Sequence, residues 1–339
     1  MRSRIPTLQI FVTSIFILSI LFILSILYGP VYIDPLRILR DILGQNSLTE
    51  SEEVIIYSRR IPASLGALTS GALLGISGLL YQILLRNPMG DPYILGVASI
   101  SYTSLIAFAY IAISLGSFFY YMSLVAPIFV LIIALIYTFI LSIISMRLSI
   151  LQLLIVGVSI GFASSGASLI LLSRLPPDVA GYLYIALMGS FEPVDLRAAE
   201  TLLVSLAVVL VASLVLSIKH LDPLILGDDY ARSLGVNVNI IRLLISLISG
   251  CSAAITVAYV GVIGFIGFAS PHIARILTGS GKSIIIAPLT CIIGGSIALL
   301  TGLIAKTLLQ GAPLTAVTSL FGAPLLIYMV SRMRGEYSW

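Results

Sequence analysis

The chain has 339 residues, 59% of them hydrophobic and only 9% charged, with a mean hydropathy of +1.15. Soluble domains carry about 25% charged residues, so this composition excludes a water-soluble enzyme and points to a protein dissolved in lipid. The net charge of +4 comes without a basic patch interleaved with aromatics, so no nucleic-acid partner is expected.

In chain order, uncharged runs cover 8–28, 61–85, 94–113, 120–146, 148–173, 201–218, 243–271, 283–305 and 307–331. A hydrocarbon core about 30 Å thick needs about 20 apolar residues per helix, so the runs read as membrane helices. The first is followed by no small-residue cleavage site and is read as a retained helix, not a signal peptide. The seventh is too long for one crossing and carries Gly261, Gly264 and Gly267 before Pro271; it is expected to turn and return. The expectation is an all-α integral membrane protein with about ten transmembrane helices, the eighth short, forming a single domain over 1–339. Continuous runs without alternation exclude a closed β-barrel.

The placement of Lys and Arg sets the orientation. With a cytoplasmic N-terminus, the inner side holds eleven basic residues, including Arg2, Arg4, Arg332 and Arg334 in or near the tails, against five acids, Glu336 among them. The outer side holds seven basic and nine acidic residues. Both termini are then cytoplasmic, and so is a polar island at 219–242 between the sixth and seventh helices. There Asp222 is placed to cap a helix that Pro223 begins and Gly227 ends. Asp228 or Asp229 is placed to cap a second, ended by Gly235. Two short helices end to end make either a docking platform for a soluble partner or a connector lying on the lipid surface.

Every Asp, Glu, Lys and Arg falls in a loop or at the end of an apolar run. A charge at mid-helix costs about 2.5–3.5 kcal/mol and survives mainly where ions or protons pass. The energy source is therefore expected outside the lipid, which counts against an ion-coupled secondary transporter, although sodium sites can be built from carbonyls and hydroxyls. Gly279–Ser283 imitates the end of a P-loop, but Ile276 stands where its first glycine belongs and no strand precedes it; a cytoplasmic turn is expected. Cys251 and Cys291 read as packing residues, and His220 and His272 are single. No metal, cofactor or catalytic constellation is expected. Gly66, Ser70, Gly71, Gly75 and Gly78 stripe one face of the second helix and Gly157 and Gly161 recur in the fifth, spacing that lets helices approach closely. Gly166 and Ser168 are read as leaving room along a pathway.

Several stretches together resemble a known family. Arg60-Ile61-Pro62 opens a Gly-rich helix, followed by Leu85-Arg86-Asn87-Pro88-Met89-Gly90-Asp91-Pro92 and Leu95-Gly96-Val97. Later come Ala231-Arg232-Ser233-Leu234-Gly235-Val236, Gly264-Phe265-Ile266-Gly267, Pro271-His272-Ile273-Ala274-Arg275 and Phe321-Gly322-Ala323-Pro324. In order and spacing these resemble the FecCD-type permeases, the membrane subunits of ABC importers for iron–siderophores, haem and vitamin B12. The resemblance implies a type II importer architecture and a homodimer with one transport route along its axis. It also implies two cytoplasmic ATP-binding subunits, which carry out the hydrolysis, docked on 222–235, and an extracytoplasmic substrate-binding protein on the outer face.

Residue by residue, the resemblance places Asp222, Pro223, Gly227, Asp228, Asp229, Ala231, Arg232, Ser233, Leu234 and Gly235 in the coupling contact. Arg60 and Lys306 fall on the outer positions that meet the binding protein; the second arginine usual after the proline is Ala63 here, and Arg59 stands in for it. The plain alternative for Arg59 and Arg60 is a helix-end anchor. The fifth and tenth helices would line the route. Asn87, Pro88 and Met89, with Leu148, Ser149, Ile150 and Leu151, would close its inner end, and Gly161, Gly166 and Ser168 would lie along it. The expected mechanism is alternating access. A molybdate or tungstate permease is the nearest alternative; a secondary carrier and a non-transporting scaffold are more distant ones.

Overall fold

In a computed structural model, which describes residues 6–45, 47–116, 118, 121–122 and 125–332, helices account for all the regular structure described. α1 (Thr7–Leu27) is followed by two short helices, α2 (Pro35–Ile42) and α3 (Glu50–Ile55). Thr49 and Glu52 start α3 with a reciprocal capping box. One wide π turn, Ile56–Arg60, carries α3 into α4 (Ile61–Leu85). Pro62 is the physical reason: it has no N–H, and its ring displaces the carbonyl four residues back.

α4 is the central pillar, and every residue from Thr69 to Leu85 is buried. Gly71 lies against the Gly294 carbonyl, and Gly78 against the backbone of Gly267. A Cβ on Gly75 would stand 2.9 Å from the Thr290 carbonyl, and one on Gly66 2.9 Å from the Val194 side chain. The small residues therefore face three directions, not one, because this helix is surrounded by protein and not by lipid.

α5 (Val97–Ser114), α6 (Ala126–Ser145) and α7 (Ile150–Leu172) pack beside one another, and a short α8 (Pro177–Leu187) leads to α9 (Leu196–Lys219). Then come α10 (Leu221–Leu226), α11 (Asp228–Ser233), α12 (Val238–Val260), α13 (Ile266–Thr278), α14 (Ser283–Thr307) and α15 (Leu314–Arg332). Among the described residues eight helices are long and apolar enough to cross a membrane, and Leu314–Pro324 forms a shorter apolar stretch. With α13, 13 residues long, these make the ten expected segments with a short eighth.

The seventh apolar run breaks where its glycines predicted. Gly261 (φ +85°) and Phe265 (φ +68°) bound a non-helical stretch between α12 and α13. Irregular backbone at membrane depth must be satisfied by protein. Here Val262 N–H donates to the Leu187 carbonyl (3.2 Å), Ser190 N–H donates to the Val260 carbonyl (2.8 Å), and the Thr315 hydroxyl donates to the Val262 carbonyl. Cys251 and Cys291 are free thiols, and Gly279 (φ +59°) ends α13 in the turn that had imitated a P-loop. Of the charges used for topology, Arg2, Arg4, Arg334 and Glu336 lie outside the described residues.

Candidate functional site

The island at 219–242 forms the two short helices the sequence predicts, with different caps. His220 occupies the N-cap of α10 and Gly227 that of α11, neither with a side-chain cap bond. Asp222, Asp228 and Asp229 are therefore not capping residues but first-turn acids, which also suit the positive end of a helix. Gly227 does end α10. Gly235 ends α11 in the left-handed region (φ +80°), with Gly235 N–H bound to the Arg232 carbonyl (2.9 Å) and Val236 N–H to the Ala231 carbonyl (3.0 Å). That pair of bonds is the Schellman motif.

The helix pair has two unlike faces. Leu221, Leu224, Ala231 and Val236 are buried in the main core. Leu226, Tyr230 and Leu234, four residues apart, are 60%, 48% and 57% exposed, flanked by the open side chains of Asp229, Arg232 and Ser233. Asp222 and Asp228 turn inward. The Asp222 carboxylate accepts the Ser283 N–H (2.9 Å) at the start of α14. Asp228 accepts from Arg86, the residue that closes α4, and from Arg242 Nη2 (2.6 Å) on α12. Arg86 Nε also donates to the Leu224 carbonyl (2.9 Å), and Arg242 Nη1 to the Leu148 carbonyl (3.3 Å).

These bonds bring together segments that lie far apart in the sequence. Asn87 and Met89 are exposed beside Pro88 in the loop after Arg86, where the Asn87 side chain accepts the Met89 N–H (2.9 Å). Ser149 and Gln152 cap α7 reciprocally, leaving Leu151 exposed and Ile150 half-buried. Along α7, Gly161 rests near Gly96, and a Cβ added at Gly166 would meet open space. Ser168 is turned the other way. It is 3% exposed and bonded to the Thr103 hydroxyl (2.7 Å), so it joins α7 to α5 and does not line an open face.

At the opposite end of the bundle Arg59, Arg60 and Lys306 have different surroundings. Arg59 is exposed. Arg60 is 6% exposed and donates to the carbonyls of Ile26 (3.1 Å), Leu27 (2.9 Å) and Val31. Lys306 donates to the Ser25 carbonyl (2.5 Å) and hydroxyl (3.2 Å). The last carbonyls of a helix have no partner within it, and Arg60 and Lys306 supply partners for α1. The Arg60 guanidinium, expected at a docking surface, is in the single chain turned inward onto the end of α1. Lys306 is half-buried and, with Tyr28, Ser190 and Glu192, lines a cavity of about 800 Å³. Leu226, Tyr230, Arg86 and Arg242 were not singled out as site residues from sequence; an arginine ahead of Asn87–Met89 and another closing the 219–242 island, with aspartates between them in the chain, were the available signal.

A bundle of about ten spans with a pair of short helices between its sixth and seventh fits one class, the membrane-spanning permease of an ABC importer. Comparisons with known proteins agree. The FecCD transport family matches residues 17–332. The chain is 32% identical over 323 residues to the vitamin B12 import system permease protein BtuC of Yersinia pestis, covering 92% of this chain and 90% of that protein. It is 32% identical over 336 residues to the Fe(3+)-citrate import system permease protein YfmE of Bacillus subtilis, covering 97% and 96%. A solved structure described as an inward-facing conformation of an ABC transporter of the metal-chelate type superposes with a TM-score of 0.80 at 27% identity, covering 96% of this chain and 99% of that one. The chain belongs to the FecCD transport family.

Proposed function

We propose that this protein is the permease of an ATP-driven importer for a metal chelate, and that it moves its cargo inward by alternating access. The similar permeases carry the names of vitamin B12 and ferric citrate, so a chelate is favoured over molybdate or tungstate. Two copies pair in the plasma membrane with both termini in the cytoplasm. Their route runs between them, along α7 and α15, and the apolar face of α7 (Ile155, Phe162, Leu169) is exposed for that purpose in the single chain.

One observation carries the reading. The region 219–242 presents an exposed apolar row, Leu226, Tyr230 and Leu234, while its other side is bonded to three membrane helices. Two ATP-binding subunits would seat that row and supply hydrolysis; the permease supplies no catalytic group. An extracytoplasmic binding protein would dock at the opposite end near Arg59 and the cavity beside Lys306, delivering the chelate. Nucleotide-driven closure of the motor then shifts α10 and α11, and the helices bonded to them tilt.

The test is reconstitution in proteoliposomes with the ATP-binding subunits inside and the binding protein outside, using labelled vitamin B12 and ferric citrate as probes. ATP-dependent uptake of either supports the proposal. Uptake by the permease alone, driven by a sodium or proton gradient, refutes it.

A further inference from the structure

We infer that Asp228 is a positioning residue that ties the coupling helices to both inner loops, so that platform and loops shift together. This deepens the permease reading above and depends on it. Asp228 is not free to cap its own helix, because Gly227 holds the cap position and the Asp228 carboxylate is turned inward. One of its oxygens takes Arg86 and the other takes Arg242 Nη2 at 2.6 Å. Each arginine then reaches a different loop. Arg86 closes α4 and leads directly into Asn87–Met89, while its Nε holds the Leu224 carbonyl of α10 at 2.9 Å. Arg242 holds the Leu148 carbonyl at 3.3 Å, immediately before the Ser149 cap of α7.

Two further features fit a device and not a decoration. Arg86 stands in the left-handed region (φ 46°, ψ 39°), which a non-glycine residue keeps only when its surroundings hold it. The side chains of Arg86, Asp228 and Arg242 are 29%, 22% and 11% exposed, so water and salt screen them less than a surface pair. By contrast Arg232 and Asp229, 3.4 Å apart with side chains 58% and 100% exposed, form a surface pair of the kind that contributes little. Removing the Asp228 charge leaves two guanidinium groups facing each other across a half-dry gap, and the three elements lose their common partner.

The experiment is hydrogen exchange followed by mass spectrometry on the assembled transporter in nanodiscs, with and without ATP plus vanadate. In the wild type, nucleotide should change exchange at 221–235 and also at 87–90 and 148–152. In Asp228→Asn the change at 221–235 should remain, the response at 148–152 should be lost and that at 87–90, which keeps the Arg86–Leu224 bond, should be weakened; Asp228→Glu, which keeps the carboxylate, should restore both. Arg86→Gln leaves Asp228 paired with Arg242 and should lose the response at 87–90 only, and Arg242→Gln the response at 148–152 only. These two variants answer the question should Asp228→Asn fail to assemble. A response at 148–152 that persists in Asp228→Asn, or loop responses that vanish together in Arg86→Gln, overturn the inference alone. No nucleotide-dependent change at 221–235 in the wild type sinks the permease reading and this inference with it.

Discussion

At one end of the bundle Arg86 and Arg242 share the carboxylate of Asp228; at the other, Arg60 and Lys306 donate to backbone carbonyls of Ser25, Ile26, Leu27 and Val31. The same residue types serve different purposes. A carboxylate shared between side chains from three helices can be broken and remade, since each partner is partly open to water. Carbonyls at a buried helix end need a donor at all times, because leaving them unpaired costs about 1–3 kcal/mol each. The Asp228 end thus has contacts that can exchange partners, whereas the Arg60 end fixes the last turn of α1.

Arg60→Ala is the most severe way to break that comparison. It should strip three carbonyls of their donor and destabilise the protein by about 3 kcal/mol, read as a large drop in melting temperature in detergent. A wild-type melting temperature with weakened binding-protein affinity would return Arg60 to the docking surface.

At the coupling end, Gly235→Val comes next. A β-branched residue at φ +80° costs about 1–2 kcal/mol and opens the Schellman turn without any steric clash, since nothing lies within 4 Å. The expected outcome is hydrolysis that continues while uptake falls, measured as the ratio of chelate imported to phosphate released. An unchanged ratio would detach this turn from the motor contact.

Arg59→Glu sharpens the outer half. Because Arg59 is exposed and Arg60 is not, the substitution should leave melting unchanged and weaken binding-protein affinity by about 0.5–1 kcal/mol, more at low salt. Titration at two ionic strengths reads this directly, and salt-independent, wild-type affinity would remove Arg59 from the interface.

A pH-dependent test concerns Asp91, in the loop between α4 and α5. Burial pushes its carboxyl up from 3.8 to about 6, opposed in part by the Tyr93 N–H that it accepts at 2.9 Å. A raised pKa favours the neutral acid in the folded protein. The associated stability is complete below about pH 4 and is lost as pH rises through about 6. Asp91→Asn should flatten that part of the melting-temperature profile and be no less stable than wild type at pH 7. A wild-type slope between pH 4 and 6 in the variant would assign the titration to another group.

Much of this architecture is legible in the chain itself. Hydropathy marks the spans, Gly261 and Gly264 mark the turn-and-return inside the seventh run, and Asp222 to Gly235 marks two short helices, because each depends on residues within a turn or two of one another. The motifs around Arg60, Arg86 and Gly235 placed the protein in its family for the same local reason. What the tertiary structure alone decided is which distant group each polar side chain meets. Arg60 became a cap for α1, Asp228 a bridge instead of a cap, and Ser168 a bond to Thr103 instead of a pathway wall. A helix period fixes the direction of a side chain from its own axis, but a charge or hydroxyl inside a low-dielectric bundle takes whichever partner the neighbouring helices bring within about 3 Å, and that is settled only when the helices pack.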